Sequence, residues 1–359
     1  MEIPRIPDRG SLPVAFVVPL QGPTGIYGPS CMACGELATE QLNAGTGIGG
    51  REVQLITVDG GRHPEVVADE VAALVDSGAV EAIAGWHISA VRQAITRRIG
   101  GRVVYAYAAM HEGRDDTPGV FMLGERPVNQ LLPAVDWMRD QLGVGRWAVV
   151  GNDYVFPRVT GHIARRSLQH RASQIVSETY VPLGTTNFAP VLRDLEGQHI
   201  DGVIMLLMGQ DAVNFNRQFA RLHLDDRLAR LSPAIEENTL LAGGAGAHRS
   251  LYAAAAYFDN LNTTAASELA GAYYARYGAW APALNAVGES CYEAIMFLAR
   301  LADTCGGIAI ENLPAMTPEA WHGPRGLMRF EGNLLNQDVY LAAADNLEFE
   351  IQERIAQAG

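Results

Sequence analysis

The sequence predicts a two-lobed α/β protein in which each lobe is a parallel sheet flanked by helices. Three observations carry that prediction. The chain has 359 residues, 48% of them apolar and 19% charged, enough to bury a sizeable core and, at roughly 100 to 200 residues per domain, enough for two lobes. Short apolar runs alternate with stretches of helical spacing, as βα units around a parallel sheet require. The alternation occurs as two sets in tandem, after which the chain returns through long helices and further β-like segments.

In the first set the apolar runs at residues 13–19, 53–58, 80–84 and 102–107 read as strands, and residues 28–43, 64–77 and 89–99 as the helices between them. Each helix follows its strand after a short connection. The second set opens after Gly124-Glu-Arg-Pro127 with a helix at 128–142. Strands at 147–150, 174–181 and 202–207 then alternate with helices at 157–170, 188–196 and 211–221. Past the glycines of 243–246 come a strand at 251–257 and two helical patterns, 265–277 and 285–302, whose apolar residues (Ala286, Ala294, Phe297, Leu298, Leu301) need a sheet to cover. Segments 327–330, 338–343 and 347–352 close the chain. Such a return implies more than one crossing between lobes, hence a hinge. The expected division is 12–124 with 250–326 in the first lobe and 125–249 with 327–359 in the second.

Composition excludes several function classes. All 27 basic residues are Arg, so a P-loop, a Schiff-base enzyme and a lysine-dependent kinase site lack their amine. With a formal net charge of −13 and no basic run, nucleic acid and anionic membrane surfaces are not expected partners. Residues 1–12 contain Pro4, Pro7, Arg5 and Arg9 and no apolar core of a secretory signal, which makes the chain as written a cytoplasmic protein, or a periplasmic or extracellular one if a leader has been removed. The four cysteines are too few for a disulfide framework, and Cys31-x-x-Cys34 lies in a helical pattern without a second pair or a His cluster to complete a zinc site. Buried thiols are the better reading, and no cofactor is expected.

Other motifs fail on context. Gly45-Thr-Gly-Ile-Gly49 follows a helix and precedes a strand, the reverse of a dinucleotide loop. Gly288-Glu-Ser290 lacks the second glycine of a nucleophile elbow, where Tyr292 stands. Asp115-Asp116 and Asp225-Asp226 read as solvated turns rather than metal ligands, and the sequon at Asn262 means little without export.

Several stretches resemble a known family. Pro19-Leu-Gln-Gly-Pro-Thr-Gly-Ile-Tyr-Gly28, Gly35-Glu-Leu-Ala-Thr-Glu-Gln-Leu-Asn43 and Gly47-Ile-Gly-Gly-Arg51 are similar to the opening of type I periplasmic binding proteins, in the branch of branched-chain amino acid, urea and short-chain amide receptors. Gly151-Asn-Asp-Tyr-Val-Phe-Pro-Arg158, residues 178–188 and Trp86-His-Ile-Ser89 resemble the urea-binding and amide-sensing members most. The resemblance spans nearly the whole chain and implies a type I periplasmic-binding-protein fold with multiple hinge crossovers.

Candidate site residues follow from the carboxyl ends of the strands, where ligands of open α/β sheets sit. Ser89 starts a helix after the loop of Trp86 and His87, as N-cap or ligand contact, and the resemblance implies contact. Position by position, it also implies that Tyr107 and Ala109 face the ligand. Ala109 departs from the amide sensors' threonine and cannot donate a hydrogen bond. His87 and His111 are the nearby titratable groups. From the second lobe, Tyr154 and Phe156 follow a strand end, and Glu237 takes the position at which amino acid binders place a carboxylate against the ligand's ammonium. Phe156 as core and Glu237 as a solvated helix start remain open alternatives.

The expected function is a non-enzymatic receptor that binds a short-chain amide, urea or small amino acid between its lobes and signals by hinge closure. An alternative is the exported substrate-binding component of an ABC transporter; an amide hydrolase is the distant one, since no activated nucleophile or metal-bound water is apparent. The expected partners are a small-molecule ligand and a permease or regulatory protein, with a homo-oligomer left open.

Overall fold

A computed structural model describes residues 10–113, 115–169, 171–313 and 320–358. Residues 1–9, on which the reading of an absent leader rests, lie outside the described residues, as do His170 at the end of one expected helix and Gly359 at the end of the second expected lobe.

The first set comprises β1 (Ser11–Val18), α1 (Gly28–Asn43), β2 (Glu52–Asp59), α2 (Pro64–Asp76), β3 (Ala82–Gly85), α3 (Ser89–Ile99), β4 (Val104–Tyr107) and β5 (Val120–Met122). The second comprises α4 (Leu131–Leu142), β6 (Arg146–Asn152), α5 (Val155–Leu168), β7 (Gln174–Val181), α6 (Ala189–Glu196), β8 (Gly202–Leu206), α7 (Gly209–Arg221), β9 (Ala229–Ser232), α8 (Glu237–Gly243) and β10 (Leu251–Ala255). The return consists of α9 (Thr264–Tyr277), α10 (Ala286–Cys305), β11 (Trp321–Gly323), β12 (Gly326–Glu331), β13 (Leu334–Gln337), β14 (Val339–Asp345) and β15 (Glu348–Ala356).

Two sheets result. The first runs β2-β1-β3-β4-β5-β13-β12-β11 and the second β7-β6-β8-β9-β10-β14-β15. Within each, the five strands of the tandem set are parallel and share one order, second-first-third-fourth-fifth. The later strands sit at one side: β13 joins β5 in parallel and β12 and β11 follow it in antiparallel pairs, while β14 and β15 extend the second sheet antiparallel. The central strands are buried on both faces, as Val14 to Val18 are along β1, because helices cover both sides.

Helix ends follow local chemistry. Pro stands in the first turn of α1, α2 and α6, where its missing N–H costs nothing. The Asn285 side chain accepts the Gly288 N–H to start α10, and Gly100 closes α3 in the left-handed region. Helix α1 lies against α10, where Gly288 matters: a Cβ there would meet the Cys34 Sγ and the Ser30 carbonyl oxygen at 3.0 Å. Cys31, Cys34 and Cys291 are free and buried in this seam, as the sequence suggested.

The expected division of the chain needs correction at three places. Strand β10 joins the second sheet, pairing with β9 and β14, and α9 buries Leu269 and Tyr273 in that sheet's core. Strands β12 and β13, expected in the second lobe, extend the first sheet, because β13 pairs with β5 through Leu334 and Met122. The chain therefore crosses after β5, between α9 and α10, and between β13 and β14. The outer strand of the second sheet, β15, exposes Glu348, Glu350, Gln352, Glu353 and Arg354. Among the described residues no helix is long and apolar enough to cross a membrane.

Candidate functional site

The strand order reverses between β1 and β3 in one sheet and between β6 and β8 in the other, so the loops beyond their carboxyl ends are where ligands of such sheets bind. At the first of these points Gly85 has φ +131°, and a Cβ there would lie 2.3 Å from the Val17 carbonyl oxygen. Only glycine lets β3 run this close to β1 before turning into Trp86.

The next residue turns inward. His87 is fully buried; its Nδ1 lies 3.0 Å from the Val17 carbonyl and so donates, and its Nε2 accepts from the Tyr105 hydroxyl. Burial pushes its pKa down to about 4. Both ring nitrogens thus bond within the protein, and His87 pins β1 to β4. His111 is likewise buried, with Nδ1 2.7 Å from the Gly113 carbonyl and its pKa pushed down to about 3, mainly by burial.

Ser89 and Tyr107 come together. The Tyr107 hydroxyl donates to the His87 carbonyl at 2.8 Å and lies 3.5 Å from the Ser89 Oγ. Ser89 Oγ donates to Glu112 at 2.6 Å, and Glu112 is held in turn by Arg92 at 2.6 Å and Gln93 at 3.1 Å. Arg92, itself buried, also pairs with Asp115, which is therefore not a solvated turn residue. Ala109 is buried beside Ala108 and Met110.

From the other sheet, Tyr154 caps α5 in extended backbone and Phe156 sits in its first turn. Phe156 packs with Met208 and Ala234 of its own sheet's loops and with Met110 of the first, while Tyr154 and Leu183 flank the group. Phe156 therefore closes an apolar contact across the cleft. Tyr27, which the sequence reading quoted only as motif, bridges the same gap: its hydroxyl donates to the Ala234 carbonyl at 3.3 Å and accepts the Gly209 N–H at 2.8 Å, and its ring meets Trp86 edge-on at 5.0 Å.

Between these elements lies a small cavity, about 10 Å³, lined by Trp86, Ala108, Met110, Glu125, Pro233, Glu236, Ala255, Ala286, Val287 and Ser290. Larger hollows, such as one of about 540 Å³ between the start of α9 and the β11–β12 hairpin, lie away from the ends of the parallel strands. The carboxylate on the cavity wall is Glu236, not Glu237. Glu237 turns aside to accept the Asp259 N–H at 2.9 Å, and burial pushes its pKa up to about 8. Glu236 caps α8 reciprocally with Thr239 and accepts the Ala286 N–H at 3.1 Å. Burial first, then the charges of Glu237 and Glu125, hold its carboxyl well above the usual range. Glu125 accepts the Ala256 N–H at 2.8 Å.

Glu236 and Glu125 line this cavity and were not singled out in the sequence. A signal for the first existed: Glu236 and Thr239 have the N-cap to N3 spacing of a reciprocal cap. No cationic side chain lines the cavity. Its one hydroxyl, Ser290, donates to the Val287 carbonyl at 2.8 Å. Among the described residues no group of His, Cys, Asp and Glu could hold a metal ion. The wall offers acceptors to a ligand and an indole face, without an activated nucleophile.

The fold is shared with solved solute receptors. The chain is similar to LivJ from Streptococcus pneumoniae in complex with isoleucine, with TM-score 0.82 and 16% identity over 95% of this chain and 99% of that one. It is similar to a solute-binding protein of an ABC transporter from R. palustris in complex with benzoate, with TM-score 0.83 and 17% identity over 98% of each chain. A leucine-binding LivK from Thermotoga maritima matches with TM-score 0.82 and 18% identity over 95% of this chain and 98% of that one. At these identities the likeness establishes the fold. The family model described as periplasmic binding protein matches residues 11–346, and the chain belongs to that family, with the two-lobed type I architecture.

Proposed function

We propose that the chain is a receptor for a small solute rich in N–H donors, a short-chain amide, urea or amine, held between the two sheets and released by opening of the three crossovers. One observation carries the ligand class: Glu236 stands buried on the cavity wall beside Trp86 with no cationic side chain on that wall, whereas Glu125, also there, feels the charge of the buried Arg325. A buried carboxyl without a counter-charge is costly, and a donor-bearing ligand offsets that cost. Ala109 and the committed hydrogen of Ser89 leave few side-chain donors for a ligand carboxylate. This argues against a simple acid, and against an amino acid held through its carboxylate at Ser89. With the Ser290 hydrogen spent on a backbone carbonyl, the wall supports binding rather than turnover.

Two of the similar structures carry transporter names, which supports a permease as the partner of the closed form. Closure presents a shape to that partner only to the extent that the ligand binds the closed state better.

A thermal-shift panel of butyramide, urea, butylamine, butyrate and benzoate tests the reading. A solute at 100 times its dissociation constant adds about 2.7 kcal/mol of apparent stability. The expected result is a shift with an amide, urea or the amine and none with butyrate or benzoate; a shift confined to the acids defeats the proposed ligand class.

A further inference from the structure

We infer that Glu112 is a specificity-determining residue, fixing the Ser89 hydroxyl as a hydrogen-bond acceptor so that the site admits a ligand N–H and turns away a ligand oxygen at that point. The inference rests on the ligand class proposed above and names the device that enforces it.

A serine has one hydrogen to donate. In this structure it is spent: Ser89 Oγ lies 2.6 Å from Glu112 Oε2, a carboxylate oxygen that can only accept. The nearest other hydroxyl, Tyr107, has also spent its hydrogen, on the His87 carbonyl at 2.8 Å. The two oxygens therefore face each other at 3.5 Å with lone pairs and no hydrogen between them. Both are buried, and α3, which Ser89 opens, packs against α5 of the opposite sheet, whose cap is Tyr154, so the pair lies on the side of its sheet that faces the other. A donor entering there meets the Ser89 oxygen, whose own hydrogen is already given to Glu112; an acceptor finds no hydroxyl hydrogen on either Ser89 or Tyr107.

Glu112 cannot readily turn away. Its Oε1 accepts from Arg92 and from Gln93, so its Oε2 is aimed at Ser89. Arg92 is anchored independently by Asp115, and its guanidinium lies over the Tyr107 ring, 5.3 Å from the centroid. The surroundings thus dictate how a replacement amide would sit. In Glu112→Gln the amide oxygen stays with the two donors, the amide nitrogen faces Ser89 and donates to it, and the Ser89 hydrogen is turned outward. One nearly isosteric change reverses the polarity of the site.

The test compares butyramide with butyrate by calorimetry on the full chain. The unmodified protein is expected to hold butyramide at least about ten-fold tighter than butyrate, and Glu112→Gln to reduce that ratio by about ten-fold. Ser89→Ala combined with Glu112→Gln should give the same ratio as Ser89→Ala alone, because the effect runs through Ser89. A ratio unchanged by Glu112→Gln, or changed equally with and without Ser89, overturns the inference while leaving the proposed function standing. If Glu112→Gln does not fold, Ser89→Ala alone decides: it should weaken butyramide and spare butyrate, and equal weakening of both overturns the inference. If neither butyramide, urea nor butylamine binds the unmodified protein, the proposed ligand class falls and this inference with it.

Discussion

Glu236 and Glu237 are adjacent in the chain and differ by one step of helix geometry. Glu236 precedes α8 in extended backbone and reaches the cavity, whereas Glu237, already in the first turn, points to the Asp259 amide. Sequence reasoning singled out Glu237, whereas the structure turns Glu236 to the cavity, because two neighbouring carboxylates are equivalent until a helix start assigns them opposite directions. The bonding of His87 within the protein was not legible for a different reason: its partner Val17 lies 70 residues away, and nothing local announces the contact. The placement of Ser89 and Trp86 at the strand end and helix start was legible, since strand, loop and helix start are all local. The surroundings of Glu237 make a pH prediction. Its pKa is raised from 4.5 to about 8, so the stability it supports is present below the unfolded value and is lost as pH rises through about 8. Glu237→Gln keeps the acceptor for Asp259 and removes the ionisation. Melting curves should show the variant gaining on the parent by on the order of a few kcal/mol between pH 5 and pH 9. A constant difference across that range contradicts the assigned cause.

At the level of elements, the tandem βα pattern was legible because buried parallel strands read as apolar runs. Strand β9 was missed because Arg230 interrupts its run. That arginine is fully buried and donates to Asn216 at 2.6 Å, the Ala247 carbonyl at 3.0 Å and the Arg249 carbonyl at 2.6 Å. Only tertiary acceptors make such a residue tolerable in a strand. Strand β5 has three residues, too few to show a period, and the joining of β13 to it spans more than 200 residues. The α1–α10 seam is tighter than composition suggests. Gly288→Ala would press its methyl on the backbone of Ser30, which cannot move without shifting the helix. Overpacking of this kind costs typically 1–3 kcal/mol. Urea unfolding should show a lower midpoint with an unchanged slope; a midpoint equal to the parent's means the seam has slack.

For the whole molecule, the crossings between the sheets meet at Arg325. It is buried, its Nε donates to Glu289 of α10 at 2.5 Å, and its Nη1 donates to Gln337 at 2.8 Å and the Leu123 carbonyl at 3.3 Å. One guanidinium therefore touches residues at or beside all three crossovers. Replacing Arg325 with Met strands the Glu289 carboxylate, a loss of about 3–5 kcal/mol for breaking a buried pair. Adding Glu289→Gln should recover part of it, and a double variant no better than the single one would show that the pair is not the source. Nothing in a lone Arg between Pro324 and Gly326 betrays this role in the sequence; it depends on which segments return.

The rim formed by β15 has a consequence for the molecule among its own copies. An open strand is a template on which another chain can add, and a long bare one invites ribbons and fibres. Here the template is spoiled by Glu348, Glu350 and Glu353, which a second β15 running against the first would bring close to their own like charges. At the concentrations a solute receptor reaches in a crowded compartment, that acidic fringe keeps the second sheet from seeding growth along this side.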